Sequence, residues 1–292
     1  MKISNKTLVF LCSLALFLAV ISSFALVNFI TKDDEPSYTE TQESVQTYVP
    51  ETIEYEDIVS DPITDDMPDG ISYRRVEEKI ILDTKTASRL ALVYPIFDLF
   101  GDKGLTDAIN QIIADGMSEK QREFGQGMFK MLGTGTKVIY EINDFDITYI
   151  DQSFISILFN GYFVSYSETD TIDTGDYYFR YSLNIDLAEQ SLITDRMLVS
   201  DFLLLKTQFT SGNMSCEYGI EGLLDYASYT DLFSQYSSLY HIYPSFYFTN
   251  EKLMMIISLT NDLGGNAVFS CSINDSRAFL NTYLAALQGI YS

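Results

Sequence analysis

The apolar and polar positions divide the chain into three stretches. Thr7 to Ile30 is a run of 24 residues without a charged side chain. As a helix it extends about 36 Å, enough to cross a hydrocarbon core of about 30 Å with some tilt. Lys2 and Lys6 precede it, and Asp33, Asp34 and Glu35 follow. That distribution predicts a transmembrane anchor over residues 1–30, with the amino terminus in the cytoplasm and the rest outside. A signal peptide cut after Ala25 is the alternative, Ser23 and Ala25 supplying the small residues, and it leaves the domain secreted. Residues 31–70 carry thirteen acids, one base and the prolines Pro36, Pro50, Pro62 and Pro68. Like charges and prolines predict an extended, disordered acidic linker.

Beyond residue 70 the pattern turns periodic. Ile71–Asp83 reads as a strand, and Leu90–Phe97 as another with Tyr94-Pro95 at an edge or exit. Leu105, Ile109, Ile112, Ile113 and Met117 follow helical spacing. The pattern allows that helix to continue to Leu132, although Gly116, Gly125 and Gly127 weaken it. Val138, Tyr140 and Ile142 alternate, and the phase resets to Phe145, Ile147 and Tyr149, which predicts a bulge or turn at Asn143-Asp144. Phe154–Phe163 is apolar on both faces, as in a central strand. Tyr177 to Leu187 alternates strictly, with one buried and one wetter face. Helices are expected over Met197–Leu205 and Ile220–Tyr240, and strands over Ile242–Phe248, Leu253–Leu259 and Ala267–Ile273. Asn274 or Asp275 is placed to cap a final helix bearing Phe279, Leu280, Tyr283, Leu284 and Leu287. The pattern predicts one α+β domain over 71–292, an antiparallel sheet with helices packed on it.

Composition narrows the chemistry. The 292 residues carry a net charge of −23 with 47% hydrophobic residues, so a core can form and a general duplex-DNA binder is excluded. One His and three Cys exclude a Cys/His zinc cluster, and nothing in the pattern calls for a metal or cofactor. A Ser/His or Cys/His pair must use His241, which sits in a tyrosine-rich junction with no nucleophile elbow nearby. We assign no catalytic residue. The loop with Asp170, Asp173 and Asp176 misses the spacing of a calcium loop and reads as a solvated turn. Flanked by Tyr166 and Tyr178, it is the candidate contact patch, since tyrosine offers an apolar body and a polar tip. Outside the membrane, Cys216 and Cys271 could form a disulfide or remain two buried free thiols.

Several of these segments resemble a firmicute envelope domain of unknown function. The carriers are Tyr94-Pro95 ahead of a helix with Ile109-Asn110, SFISILFNGY (153–162), YSLNIDL (181–187) with SLI (191–193), and YPSFYFTNEKLMMI (243–256). The similar domain lies outside the membrane in RsiV-type anti-sigma factors and ahead of the catalytic domain in PdaC-type peptidoglycan deacetylases. Those proteins tend to carry a Gly-Gly-Ala-His loop where this chain has the acidic 167–176 loop without histidine. The chain also lacks a deacetylase-type Asp/His set, and six residues precede the apolar run. The resemblance therefore implies the recognition half of such proteins without either effector half. In the RsiV-like proteins the outer domain recognises lysozyme, which is basic. The expectation is a non-enzymatic binding or sensing module of the cell envelope whose partner is a basic extracellular protein or a wall component, with no nucleic acid. A wall hydrolase using a carboxylate pair such as Asp173 and Asp186 is the alternative.

Overall fold

Seven strands form the larger sheet and lie side by side in chain order: β1 (Glu54–Val59), β2 (Ile71–Asp83), β3 (Ser88–Leu99), β4 (Thr136–Ile150), β5 (Phe154–Ser167), β6 (Tyr177–Asp186) and β7 (Ser191–Leu192). The computed structural model describes residues 54–83, 88–131, 136–167, 177–240, 244–260 and 263–291. All belong to the second of two units into which the chain divides, Tyr48–Ser292. The first unit, with the predicted anchor, lies outside the described residues. Among the described residues no helix is long and apolar enough to cross a membrane.

Neighbouring strands of this sheet are antiparallel except β3 and β4, where Arg89–Leu92 run parallel to Ile139–Ile142. A parallel pair requires a crossover, supplied here by helix α1 (Lys103–Met131). Ile109, Ile113 and Met117 bury one face of α1, while Asp107, Gln111 and Asp115 stay in solvent. Gly116 lets the helix approach the sheet, because a Cβ there would come within 2.9 Å of Leu183.

The fate of Pro95 shows how β3 survives beside an absent neighbour. Its pairing with β4 ends at Leu92, but its pairing with β2 continues to Leu99. Past Leu92 the unpaired edge belongs to Pro95, Phe97 and Leu99. Proline has no N–H to satisfy there. Helix α1 satisfies the others. Asn110 Oδ1 accepts from Phe97 N at 2.8 Å and Asn110 Nδ2 donates to Phe97 O at 2.9 Å, while Leu99 N donates to Thr106 Oγ1 at 3.0 Å.

In β4 the register shifts between Ile142 and Asp144, so the strand carries the bulge that its phase reset predicts. Val138, Tyr140 and Ile142 before the bulge, and Phe145 after it, enter one core with Ile157, Phe159, Phe179 and Tyr181. Gly161 of β5 admits the Phe179 ring, since a Cβ would lie 2.4 Å from Phe179 Cζ and 2.5 Å from Glu141 O.

The smaller sheet comprises β8 (Ser215–Tyr218), β9 (Ser245–Phe248), β10 (Lys252–Ser258) and β11 (Asn266–Ser272), in the order β8-β11-β10-β9 and antiparallel throughout. One face packs under helices α2 (Phe202–Thr210) and α3 (Tyr229–Tyr240), where Phe209 meets Phe269 edge to face at 4.8 Å. The other face sets Tyr247, Met254, Ile256 and Val268 against Leu158 of β5. Edge strand β9 is held by side chains of the larger sheet. Ser182 Oγ and Asn184 Nδ2 each donate to Phe246 O at 2.6 Å, and Phe248 N donates to Ser156 Oγ at 3.0 Å. Ser156 Oγ donates onward to Asn184 Oδ1 at 2.8 Å. The second sheet is thus locked onto the first by a satisfied polar network, which costs little because no buried partner is left open.

Four expectations need correction. The expected linker is not free to residue 70: β1 pairs with β2, and Ile63 bridges to Tyr73. The expected helix over Met197–Leu205 is two, because Thr194 caps a turn at Asp195–Leu198 and Asp201 caps α2. The expected helix over Ile220–Tyr240 is also split, into a turn at Leu223–Tyr226 and α3, which starts at a reciprocal Ser228–Asp231 cap. The final helix is replaced by short turns at Ile273–Ser276, Ala285–Leu287 and Gln288–Tyr291. Leu280 N still donates to Ser276 O, but Phe279 O is claimed by Ser200 N and Asp201 N, Tyr283 N turns to Asn281 Oδ1 and Leu280 bridges Val199, so the helical bonding does not continue.

Candidate functional site

The predicted patch is partly within view. Tyr178 sits on β6 with 55% of its surface exposed, directly opposite Tyr162 of β5, their rings 6.2 Å apart. Tyr166 pairs through its backbone with Lys137, and its side chain lies outside the described residues, as do Asp170, Asp173, Asp176 and His241. Around Tyr178 the strands place further groups. Tyr162 donates its hydroxyl to Glu141, which also accepts from Arg89 Nε at 2.5 Å. Burial and Glu141 push the Tyr162 hydroxyl above its usual pKa. One strand pair on, Arg180 lays its guanidinium 3.6 Å over the exposed ring of Tyr218. Asp146 stands near it, its carboxyl pushed above the usual range by partial burial and by Asp144, with Arg180 opposing.

Asp186, named for the hydrolase alternative, is buried, and its Oδ1 accepts from the backbone N–H groups of Ala188 and Glu189. That oxygen is committed to closing the turn into β7. Among the described residues no group of three His, Cys, Asp or Glu could hold a metal ion.

The two cysteines are free, so the disulfide is not formed. Cys216 of β8 stands opposite Phe269, not Cys271, and its thiol donates to Tyr218 O at 3.6 Å. Cys216 is exposed, contrary to the reading of two buried thiols. Cys271 is buried, and burial pushes its thiol up to about 12.

A cleft of about 320 Å³ lies where α1 crosses β6 and faces β9. Asp115 and Glu119 reach it from successive turns of α1, and Asp195 closes it from the turn after β7. Between them Ser182 and Ser245 share a hydrogen bond at 3.0 Å, and Ile112 and Leu183 supply apolar wall. Asp195 Oδ1 is positioned by accepting from Phe246 N at 3.1 Å, and Asp115 Oδ1 by accepting from Gln111 Nε2 at 2.8 Å. No lysine or arginine is among the described residues lining the cleft. Carboxylates and apolar wall on one lining suit a long cationic side chain, whose stem can lie on the wall while its head meets the acids. The i, i+4 spacing of Asp115 and Glu119 is visible in the sequence, but their meeting with Asp195 depends on the route of β7.

No family model matches the sequence, and no curated protein does. Among solved structures, a DUF3298 family member from Bacteroides fragilis superposes with a TM-score of 0.43 at 13% identity, covering 80% of this chain and 96% of that one. A DUF3298 family protein from Pseudomonas aeruginosa PAO1 gives 0.42 at 7% identity, covering 79% and 95%. At these values no residue role passes to this chain.

Proposed function

We propose that the chain is a membrane-tethered binding module of the bacterial envelope, without catalysis of its own, that captures a basic protein outside the cell. The observation that carries this reading is the cleft at α1 and β6, which Asp115, Glu119 and Asp195 all line. A lysine or arginine of the partner enters, and the acids take its charge. The net charge of −23 attracts such a partner over distances of about a Debye length, raising the rate of encounter. The apolar run Thr7–Ile30 supplies the tether, and the resemblance to RsiV-like outer domains agrees with a basic protein as the partner.

The test is binding of lysozyme and other basic proteins to the full-length chain in nanodiscs, at low and moderate salt. Binding that weakens steeply with salt, and roughly tenfold or more in an Asp115→Asn/Glu119→Gln double variant, supports the reading. Equal binding by that variant, or no salt-sensitive binding, removes it.

A further inference from the structure

A second cavity, of about 530 Å³, shares no lining residue with the acidic cleft. It lies between the end of α2, the loop entering β8 and the turn that follows β11. Its volume falls in the range of small-ligand sites. Met214 and Phe279 form a buried apolar floor, which the Cys271 side chain completes.

The rim is made of amides. Asn213 Nδ2 donates to Gln208 Oε1 at 2.8 Å, which orients both groups and leaves Gln208 Nε2 and Asn213 Oδ1 without a partner among the described residues. Asn274 makes no side-chain hydrogen bond among the described residues. Asp275 accepts from Ser272 Oγ through Oδ2 and keeps Oδ1 free of described partners. Among the described residues no lysine or arginine lines the cavity, so an anionic ligand finds no counter-charge there. The unpaired groups comprise donors and acceptors together.

We propose that this cavity binds a neutral saccharide of one or two rings. A sugar hydroxyl both donates and accepts, which matches a rim of side-chain amides with one carboxylate oxygen. The C–H face of a pyranose supplies the apolar contact that the floor needs. A rigid ring also loses little freedom on binding. A peptide fits less well. Extended peptides take their affinity from an open strand edge, and the one strand residue on the lining, Cys271, belongs to β11, which lies between β8 and β10 in its sheet.

The test uses full-length protein in nanodiscs with cellotriose, maltotriose and the N-acetylglucosamine trimer, followed by saturation-transfer NMR and calorimetry. Ala278, exposed on the lining, is replaced in Ala278→Trp to fill the cavity, and Asn274→Ala removes one amide. Circular dichroism and unfolding curves confirm that each variant is folded. Saturable binding of at least one trisaccharide, at about millimolar Kd or tighter, is expected. Ala278→Trp then abolishes it, and Asn274→Ala weakens it several-fold. No saturable binding by any of the three, or undiminished binding by folded Ala278→Trp, overturns the proposal. Capture of basic proteins is unchanged in both variants, so this site and the acidic cleft fail or stand separately.

Discussion

Asn110 is the side chain on which the end of β3 depends. Replacing it with alanine leaves the N–H and C=O of Phe97 without partners, beside a side chain only 2% exposed. A buried, unpaired backbone group costs about 1–3 kcal/mol. Asn110 itself is half-buried, so water reaches part of the gap and the low end applies to each group. The expected loss is about 2–3 kcal/mol, a large share of a stability of about 5–15 kcal/mol. Two further variants make the reasoning refutable. Thr106→Val removes the single acceptor of Leu99 N and should cost about 1 kcal/mol. Gln111→Ala, one residue along the same helix, breaks only an exposed bond to Asp115 and should stay within about 0.5 kcal/mol. Asn110→Asp adds a pH signature. Its ionised carboxylate faces Phe97 O, which raises its folded-state pKa, so stability returns as pH falls and the protonated acid donates again. Urea unfolding of the solubilised full chain, followed by circular dichroism at constant m, measures all four. A loss below about 0.5 kcal/mol for Asn110→Ala, or an equal loss for Gln111→Ala, refutes the account of the strand edge.

Further outcomes follow from single contacts. Gly161→Ala drives a methyl into Phe179 and the Glu141 carbonyl, and should destabilise by at least about 2 kcal/mol in the same unfolding assay. In a Cys12→Ser background, a thiol reagent should modify exposed Cys216 more slowly than a free cysteine, because partial desolvation raises its pKa, and Cys271 more slowly still, its thiol being pushed up to about 12; native labelling of Cys271 as fast as that of Cys216 contradicts this. Asp146 has a folded-state pKa above its unfolded value, so its favourable share is present at low pH and lost as pH rises through the folded value. Asp146→Asn should therefore be more stable than the parent at neutral pH, with the difference closing below the ordinary aspartate range; unfolding curves across pH decide it.

What was legible in the sequence depended on periodicity that one element could satisfy by itself. β2 ends where its alternation ends, at Ile71 and Asp83, and α1 follows the stripe Ile109, Ile113, Met117. The bulge at Asn143 is written in the phase change between Ile142 and Phe145. The misreadings fall where backbone partners come from elsewhere in the chain. Residues 274–287 carry an apolar stripe of helical spacing, but Phe279 O serves the segment at Ser200 and Asp201, which no local pattern announces. β8 was missed because all four of its residues are exposed, leaving no buried phase to read. The candidate site shows the same division. Tyr178 could be named because its alternating neighbours, Phe179 and Tyr181, turn inward. Asp195 could not, since it joins Asp115 and Glu119 only after β6 and β7 have turned the chain back.

The outer face of β6 joins stability to recognition. Its alternate residues Arg180, Ser182 and Asn184 each meet the smaller sheet: Arg180 through Tyr218, the other two through Phe246 O. Ser182 also bonds Ser245 within the acidic cleft, and Asp195 on the cleft lining accepts from Phe246 N. The cleft floor is therefore the same joint that holds the two sheets together. A cationic head drawn to Asp195 competes with the Phe246 N–H for its oxygens and acts on that joint, whereas Asp115 and Glu119 stand on α1, outside it. Binding at the cleft and the seating of β9 are thus linked through one carboxylate, and removing Asp195 must disturb both, while removing either acid of α1 need disturb only the first.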